Sequence, residues 1–436
     1  MKNRIVSNAM WIIIVQCVKA LITMLVSMLT TRLLGPSNYG LINYAASIVS
    51  FVAPIMYLGY NNTLVRDLVN NPDKEGEILG SAIGSSLISG VICVGLVVLF
   101  VSIANIGERD TLWVCGLYST LLIFQSTDLI LYWFQAKLLS KYSSVAALCA
   151  YVIVAGYKIC ILLLSKSVYW FAISSTIEYM LVSCTLLIVY LRLGGQKLHF
   201  SFQRVKTMLQ ASRYYILSAM LGAVSAYMDR IMLKLLISDA ANGYYSAAMT
   251  CAAMLTFVFV AIIDSFRPEI VEYKKQNQEK YRNMVKLLYS IIIYMSLGQC
   301  VIFFLLAKPI VHVVCGSEYN ATVPLLRIVV WYTLFSNLTA ARNVWILAEH
   351  KERYLWTLSL TGAVVTVVAN LLLIPLWGPA GAAIMSLISN FITAVGMTFV
   401  IKPLRENFML IVQALDPRIF IRATRNLAYR FLKKEV

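Results

Sequence analysis

AMWIIIVQCVKALITMLVSMLTTRLL, residues Ala9–Leu34, decides which solvent this chain is built for. A helix needs about 20 largely apolar residues to cross the hydrocarbon core of a bilayer, and this run supplies them around one interior cation, Lys19. The run is too long for the core of a secretory leader and lacks a small-residue cleavage pattern, so it is expected to stay as the first membrane span, at 9–33. Runs of the same kind follow at 41–65, 78–104, 111–136, 143–165, 168–191, 214–237, 243–266, 284–307, 321–347, 354–376 and 379–402. The expected fold is an all-α integral membrane protein of about twelve transmembrane helices in two pseudo-symmetric six-helix lobes. The N-terminal lobe is expected over 1–192, a cytoplasmic linker over the polar stretch 193–213, the C-terminal lobe over 214–403, and a basic amphipathic cytoplasmic tail over 404–436.

Apolar residues make up 60% of the 436 and charged residues 13%, a balance that excludes a soluble enzyme. The net charge of +17 would suggest nucleic acid in a soluble protein. Here the cations gather at span ends on one side, among them Lys2, Arg4, Lys141, Lys197, Arg204, Lys274, Lys275, Arg282, Lys351 and Arg353. The opposite connections hold little beyond Arg109, Lys166, Lys308 and Arg327 and are too short to house a catalytic domain. Positive charge is retained on the cytoplasmic side, so both termini are expected there, with the bilayer as partner and no nucleic acid. Nine cysteines lie scattered without CxxC spacing, and His199, His312 and His350 share no ligand spacing, so neither a metal nor a cofactor is expected.

Two internal matches point to a six-plus-six repeat. LYWFQAKLLSKY (Leu131–Tyr142) aligns without gaps to NVWILAEHKERY (Asn343–Tyr354), pairing Trp133 with Trp345 and Tyr142 with Tyr354. RLLGPSNYGLINYAA from Arg32 aligns, with a one-residue gap, to KLLISDAANGYYSAA from Lys234.

Charge inside a span costs several kcal/mol (about 2.5–3.5 on insertion scales) unless it faces protein or water, so interior ionisable groups are functional candidates. Gln16, Lys19, Thr23, Ser27 and Thr30 recur at three- and four-residue steps and share one face of the first span. Ser218, Gly222, Ser225 and Asp229 do so in the seventh, and Tyr118, Gln125, Asp128 and Tyr132 in the fourth. Lys158 and Glu178 lie mid-span, and Arg230, Asp264 and Arg342 add interior charge to the second half. The bland readings are helix packing for the hydroxyls, an ion pair with Asp128 or Glu178 for Lys19 and Lys158, a local pair for Asp229 and Arg230, and snorkelling to headgroups for Arg32 and Arg66.

TRLLGPSNYGLINYA (Thr31–Ala45) followed by LGYNNTLVRDL (Leu58–Leu68) resembles the amino-terminal signature of polysaccharide-repeat flippases of the Wzx type. STDLILYWFQA (Ser126–Ala136) is similar to that family's fourth span, and PLWGPAGAAIMS (Pro375–Ser386) to its hairpin of spans 11 and 12. The resemblance implies the MATE-like fold of the multidrug/oligosaccharidyl-lipid/polysaccharide (MOP) exporters and residence in a bacterial inner membrane. It also implies transport, without ATP, of undecaprenyl-pyrophosphate-linked oligosaccharides for O-antigen, capsule or exopolysaccharide, with a polysaccharide polymerase and chain-length regulator as partners. No GxxxxGK[ST] nucleotide loop is present, as that mechanism requires. Such cargo is anionic at its head, so Lys19, Arg32, Arg66, Lys158, Arg230 and Arg342, with Gln16, Gln125 and Tyr132, are the substrate-binding candidates. Asp128, Glu178, Asp229 and Asp264 are the candidates for coupling to H+ or Na+. Rival readings are a drug exporter of the same superfamily, a lipid II flippase, and a membrane polysaccharide polymerase or ligase.

Overall fold

The computed structural model describes residues 2–164 and 167–421, and every regular element among them is helical. Ten helices are long and apolar enough to cross a membrane. Two of the ten contain a junction: Lys2–Met56 breaks at Gly35 (φ 71°) and Leu355–Phe391 at Gly378 (φ 57°), which brings the spans to twelve. Each of these glycines precedes a proline, Pro36 or Pro379. Glycine takes the left-handed backbone without steric cost, and proline, with no N–H to leave unpaired, opens the next helix.

The second span ends at Met56 rather than near residue 65. Leu58 and Gly59 both have positive φ (51° and 69°), and the chain turns into the short helices Tyr60–Asn62 and Leu64–Asn70. The Met56 carbonyl at this helix end accepts from Ser86 (2.8 Å) of the third span, Glu75–Ala104, and the Ile55 carbonyl accepts from Ser89 (3.0 Å) of that span as well as from the Leu58 amide (3.1 Å).

The polar stretch 193–213 divides at Ser201, whose Oγ caps the long helix Phe202–Leu236 by accepting from the Arg204 amide at 3.4 Å. Residues 202–213 are therefore helix rather than linker. The remaining strap lies against Gly76 and Gly80, one helical turn apart on the third span. A Cβ on Gly76 would stand 2.2 Å from the Lys197 carbonyl, and the His199 amide donates to the Gly76 carbonyl at 3.1 Å.

The chain forms two compact units, Met1–Ser246 with Val314–Glu318, and Ala247–Val313 with Tyr319–Val436. The division falls inside the eighth span, Asp239–Gln276, rather than in the stretch 193–213. The physical reason is a close crossing within the first unit. A Cβ on Gly40 would lie 1.8 Å from the Asp239 carbonyl, and one on Gly243 would lie 1.9 Å from the Pro36 carbonyl. Both pairs are related by one offset, 243 − 40 = 239 − 36 = 203 residues, so the contact is reciprocal. The Asn242 side-chain amide adds a bond to the Gly40 carbonyl at 2.8 Å. These are the two copies of the second sequence repeat, packed on each other.

The first repeat has a structural counterpart in each unit. In the first, Trp133 donates to Glu75 (2.9 Å), which also pairs with Lys137. In the second, the position matching Lys137 is Glu349, paired with Lys274 at 2.5 Å. The matching position carries the opposite charge in the two units and is ion-paired in both, while the Trp345 indole N–H has no hydrogen-bond partner among the described residues. Outside the spans, burial pushes the Glu349 carboxyl up, but the Lys274 ammonium and the Tyr281 hydroxyl more than offset this and hold it below its ordinary value.

The core of the first unit is built around Tyr44, Ile48, Met56 and Leu122 and around Tyr60, Leu79, Trp133 and Tyr190. That of the second centres on Tyr289, Ile292, Trp345 and Ile411. The tail helix Arg405–Ala414 docks on Gln278–Leu305, with Asn407 bonded to Tyr289 (2.5 Å) and Glu406 to Arg282 (2.7 Å). Residues 422–436 of the expected tail lie outside the described residues.

Two outcomes are expected. Gly243→Leu must displace backbone and should cost about 1–3 kcal/mol, read as a lower Tm of the purified protein, whereas Gly95→Ala, which meets nothing within 4 Å, should leave Tm unchanged. Because folding lowers the Glu349 pKa, its stabilisation is complete above the unfolded-state value and is lost as pH falls through the folded-state value. Thermal unfolding followed from pH 7 down to pH ~3 should show this loss in the wild type and a smaller one in Lys274→Gln.

Candidate functional site

Three spans of the first unit bring charge together at membrane depth. Glu178 lies midway along Val168–Arg192, and its two oxygens face the ammonium groups of Lys19, at 3.5 Å, and Lys158, at 3.7 Å. Lys158 and Glu178 are about 15% exposed, whereas Lys19 is 48% exposed. A half-exposed ammonium within a span cannot rest against hydrocarbon without a large penalty, so its open side faces water. The lysine stem lies over the Tyr151 ring, with Nζ 4.7 Å from the centroid, and the Tyr151 hydroxyl bonds Thr23 at 2.6 Å. Thr23 is thereby fixed on the Lys19 face, since its hydroxyl also donates to the Lys19 carbonyl at 2.7 Å.

Behind this group stands Asp128, in the short 3-10 turn Ser126–Leu129 that interrupts the fourth span. Such a turn rotates the helix face locally. Asp128 Oδ1 is buried without a hydrogen-bond partner among the described residues. Gln125 donates to the Tyr179 hydroxyl at 3.3 Å, and Tyr57 stands close to both Asp128 and Gln125. The result is a cluster of two ammonium groups and two carboxylates, walled by Tyr57, Tyr151 and Tyr179.

Asp229 is buried, accepting from the Tyr245 hydroxyl and the Arg230 amide, the latter at 2.8 Å. Arg230 is partly exposed, and its Nε has no hydrogen-bond partner among the described residues. Arg32 is exposed beside Gly316. Arg66 is exposed and paired with Asp67 at 3.6 Å, beyond the end of the second span. Tyr132 is half-buried near Asp128. In the second unit Asp264 pairs with Arg267 at 3.1 Å, and Arg342 is buried, donating to the Thr393 carbonyl and to Asn343 at 3.2 Å. The Gln16 side chain lies outside the described residues. Tyr57, Tyr151 and Tyr179 were not picked out by the sequence reading. Their signal was position: Tyr179 adjoins Glu178, and Tyr151 lies two turns from Lys158 on the same helix face.

A second ionic group, at the far end of the first span, contrasts with this one. Lys234, 5% exposed, donates to Glu108 and Asp239, each at 2.7 Å. Glu108, in the connection before Arg109, also accepts from Thr111 (2.7 Å), and the Lys234 hydrogen bond holds its carboxyl below the usual glutamate range. This triad braces the Gly40–Gly243 crossing through Asp239.

Residues 5–273 match the profile of the family described as polysaccharide biosynthesis protein. The chain is 21% identical over 408 residues to the capsular polysaccharide biosynthesis protein CapF of Staphylococcus aureus, covering 91% of this chain and 99% of that one. Its fold is similar to that of the lipid II flippase MurJ in an inward closed conformation (TM-score 0.70, 12% identity, 94% of this chain and 91% of that chain). It is also similar to an inward-facing multidrug resistance MATE transporter of the MOP superfamily (TM-score 0.63, 12% identity, 89% and 96% covered).

Proposed function

The chain belongs to the polysaccharide biosynthesis protein family, and on that footing we propose that it is a flippase for undecaprenyl-pyrophosphate-linked oligosaccharides in a bacterial inner membrane. The observation that carries this reading is the pair Lys19 and Lys158 converging on one carboxylate at membrane depth, with Lys19 open to water. A lipid diphosphate head needs a cationic seat there, and its sugars need hydroxyl-bearing aromatic walls such as Tyr151, Tyr179 and Tyr57. MurJ, titled a lipid II flippase, lends the reading weight through its shared fold, and CapF through its name. The seat is exposed alternately to each side of the membrane, and the flipped unit passes to a polymerase.

On this reading both termini are cytoplasmic, which the cation-rich connections support. A coupling ion, H+ or Na+, has its best seat at Asp128, whose Oδ1 is free to receive it. No bond of the cargo needs to be made or broken, so the protein acts as a transporter rather than an enzyme.

The test is the sidedness of lipid-linked repeat units in spheroplasts of a deletion strain and its complemented parent, read with a membrane-impermeant glycosidase. Units protected in the deletion strain and accessible after complementation are expected. Units already exposed but unpolymerised would replace flipping with polymerisation. In the same assay Lys19→Ala and Lys158→Ala should each slow exposure by about tenfold or more, and collapsing both ion gradients should slow it in the wild type.

A further inference from the structure

We propose that Glu178 is the internal counter-anion that cargo must displace, and that this competition makes the site selective for a diphosphate over less charged lipid heads. The inference rests on the flippase reading above and adds a specificity-determining residue to it.

Length separates the two Glu178 contacts from the other lysine–carboxylate pairs among the described residues. Lys234 holds Glu108 and Asp239 at 2.7 Å, the length of charge-assisted hydrogen bonds, and Lys274 is in direct contact with Glu349. Lys19 and Lys158 stand 3.5 Å and 3.7 Å from Glu178, too far for good hydrogen bonds. One carboxylate is shared loosely between two ammonium groups that approach from different spans. The ammonium donors therefore keep hydrogen-bonding capacity that a second anion can take up.

Chemistry then decides which anion. A diphosphate offers two linked phosphoryl groups, one for each ammonium, and carries more charge than the carboxylate it replaces. A monophosphate must displace the same carboxylate with one phosphoryl group, and a neutral prenol has nothing to exchange. Glu178 thus sets a threshold of charge, and its return to the lysines after transport helps to expel the cargo.

Purified full-length protein in lipid nanodiscs, titrated with farnesyl diphosphate, farnesyl monophosphate and farnesol, tests this. Wild type should bind the diphosphate and discriminate against the other two. Glu178→Gln should bind the diphosphate about tenfold more tightly, gain measurable monophosphate binding, and yet transport more slowly in cells because release is impaired. A merely structural glutamate would not give tighter binding on removal. Unchanged or weaker diphosphate binding by folded Glu178→Gln overturns the inference while leaving the flippase reading in place. A folded wild type that binds none of the three probes overturns the flippase reading, and this inference with it. Should Glu178→Gln fail to fold, Glu178→Asp, which draws the charge back by one methylene, should bind the diphosphate roughly threefold more tightly, and no gain overturns the proposal.

Discussion

Hydrocarbon offers no hydrogen bonds, and this constraint organises every irregular feature of the chain. Where a helix ends inside the protein, its free carbonyls must be met by another helix, as Ser86 meets Met56. Arg342 does the same for the second unit. It is buried with no carboxylate bonded to it among the described residues, and its guanidinium takes the Thr393 carbonyl, in the π-helical turn Ile392–Gly396 where the regular ladder is broken. Asp229 is likewise matched by Tyr245, and Lys234 by two carboxylates. Such groups specify a single packing arrangement because any slip would strand a charge.

The reciprocal contact of Gly40 and Gly243 gives the weak internal repeat a physical meaning. Two helix starts can approach this closely only if neither carries a side chain at the crossing, so both copies must hold glycine at the matching position. Asn242 then bonds the Gly40 carbonyl, and the Lys234 triad ties the start of the eighth span to the connection before Arg109. The junction ion pairs show the complementary freedom. Lys137 with Glu75, and Glu349 with Lys274, pair the matching position with opposite polarity, since an ion pair is indifferent to which partner carries which sign.

The span count was legible in the sequence because the length of an apolar run is fixed by the bilayer, and the Gly-Pro junctions at 35 and 378 announced themselves by residue type. The start of Phe202–Leu236 was not legible, because its first turns are polar and look like a loop to any hydropathy window. The strap on Gly76 and Gly80 was equally hidden: small residues on a helix say that something approaches, but not what. For the site, Lys19, Lys158, Glu178 and Asp128 stood out as charges in apolar runs, and the structure gathers all four in one unit. Arg66, Asp264 and Arg342 stood out by the same rule, yet the first two carry local partners, Asp67 and Arg267, and the third takes the Thr393 carbonyl. Burial and partner cannot be read from charge alone, and the tyrosines that wall the cluster gave no stronger signal than the chain's other tyrosines.

Ion-pair length separates what holds this molecule together from what can change within it. Unit charges near 4 Å interact by about 4 kcal/mol at an effective dielectric of 20 but by about 1 kcal/mol in bulk water. The Lys234 triad is tight and its lysine is shielded, so its energy belongs to the stronger regime and serves the fold. Lys19 is half in water, and its contact with Glu178 is long, so that pair belongs to the weaker one. Lys158 lies between, shielded like a structural lysine but bonded no more closely than Lys19. A carrier needs this combination: one cation anchored to keep the seat assembled, one hydrated to meet the cargo, and a carboxylate held firmly enough to neutralise both but loosely enough to exchange.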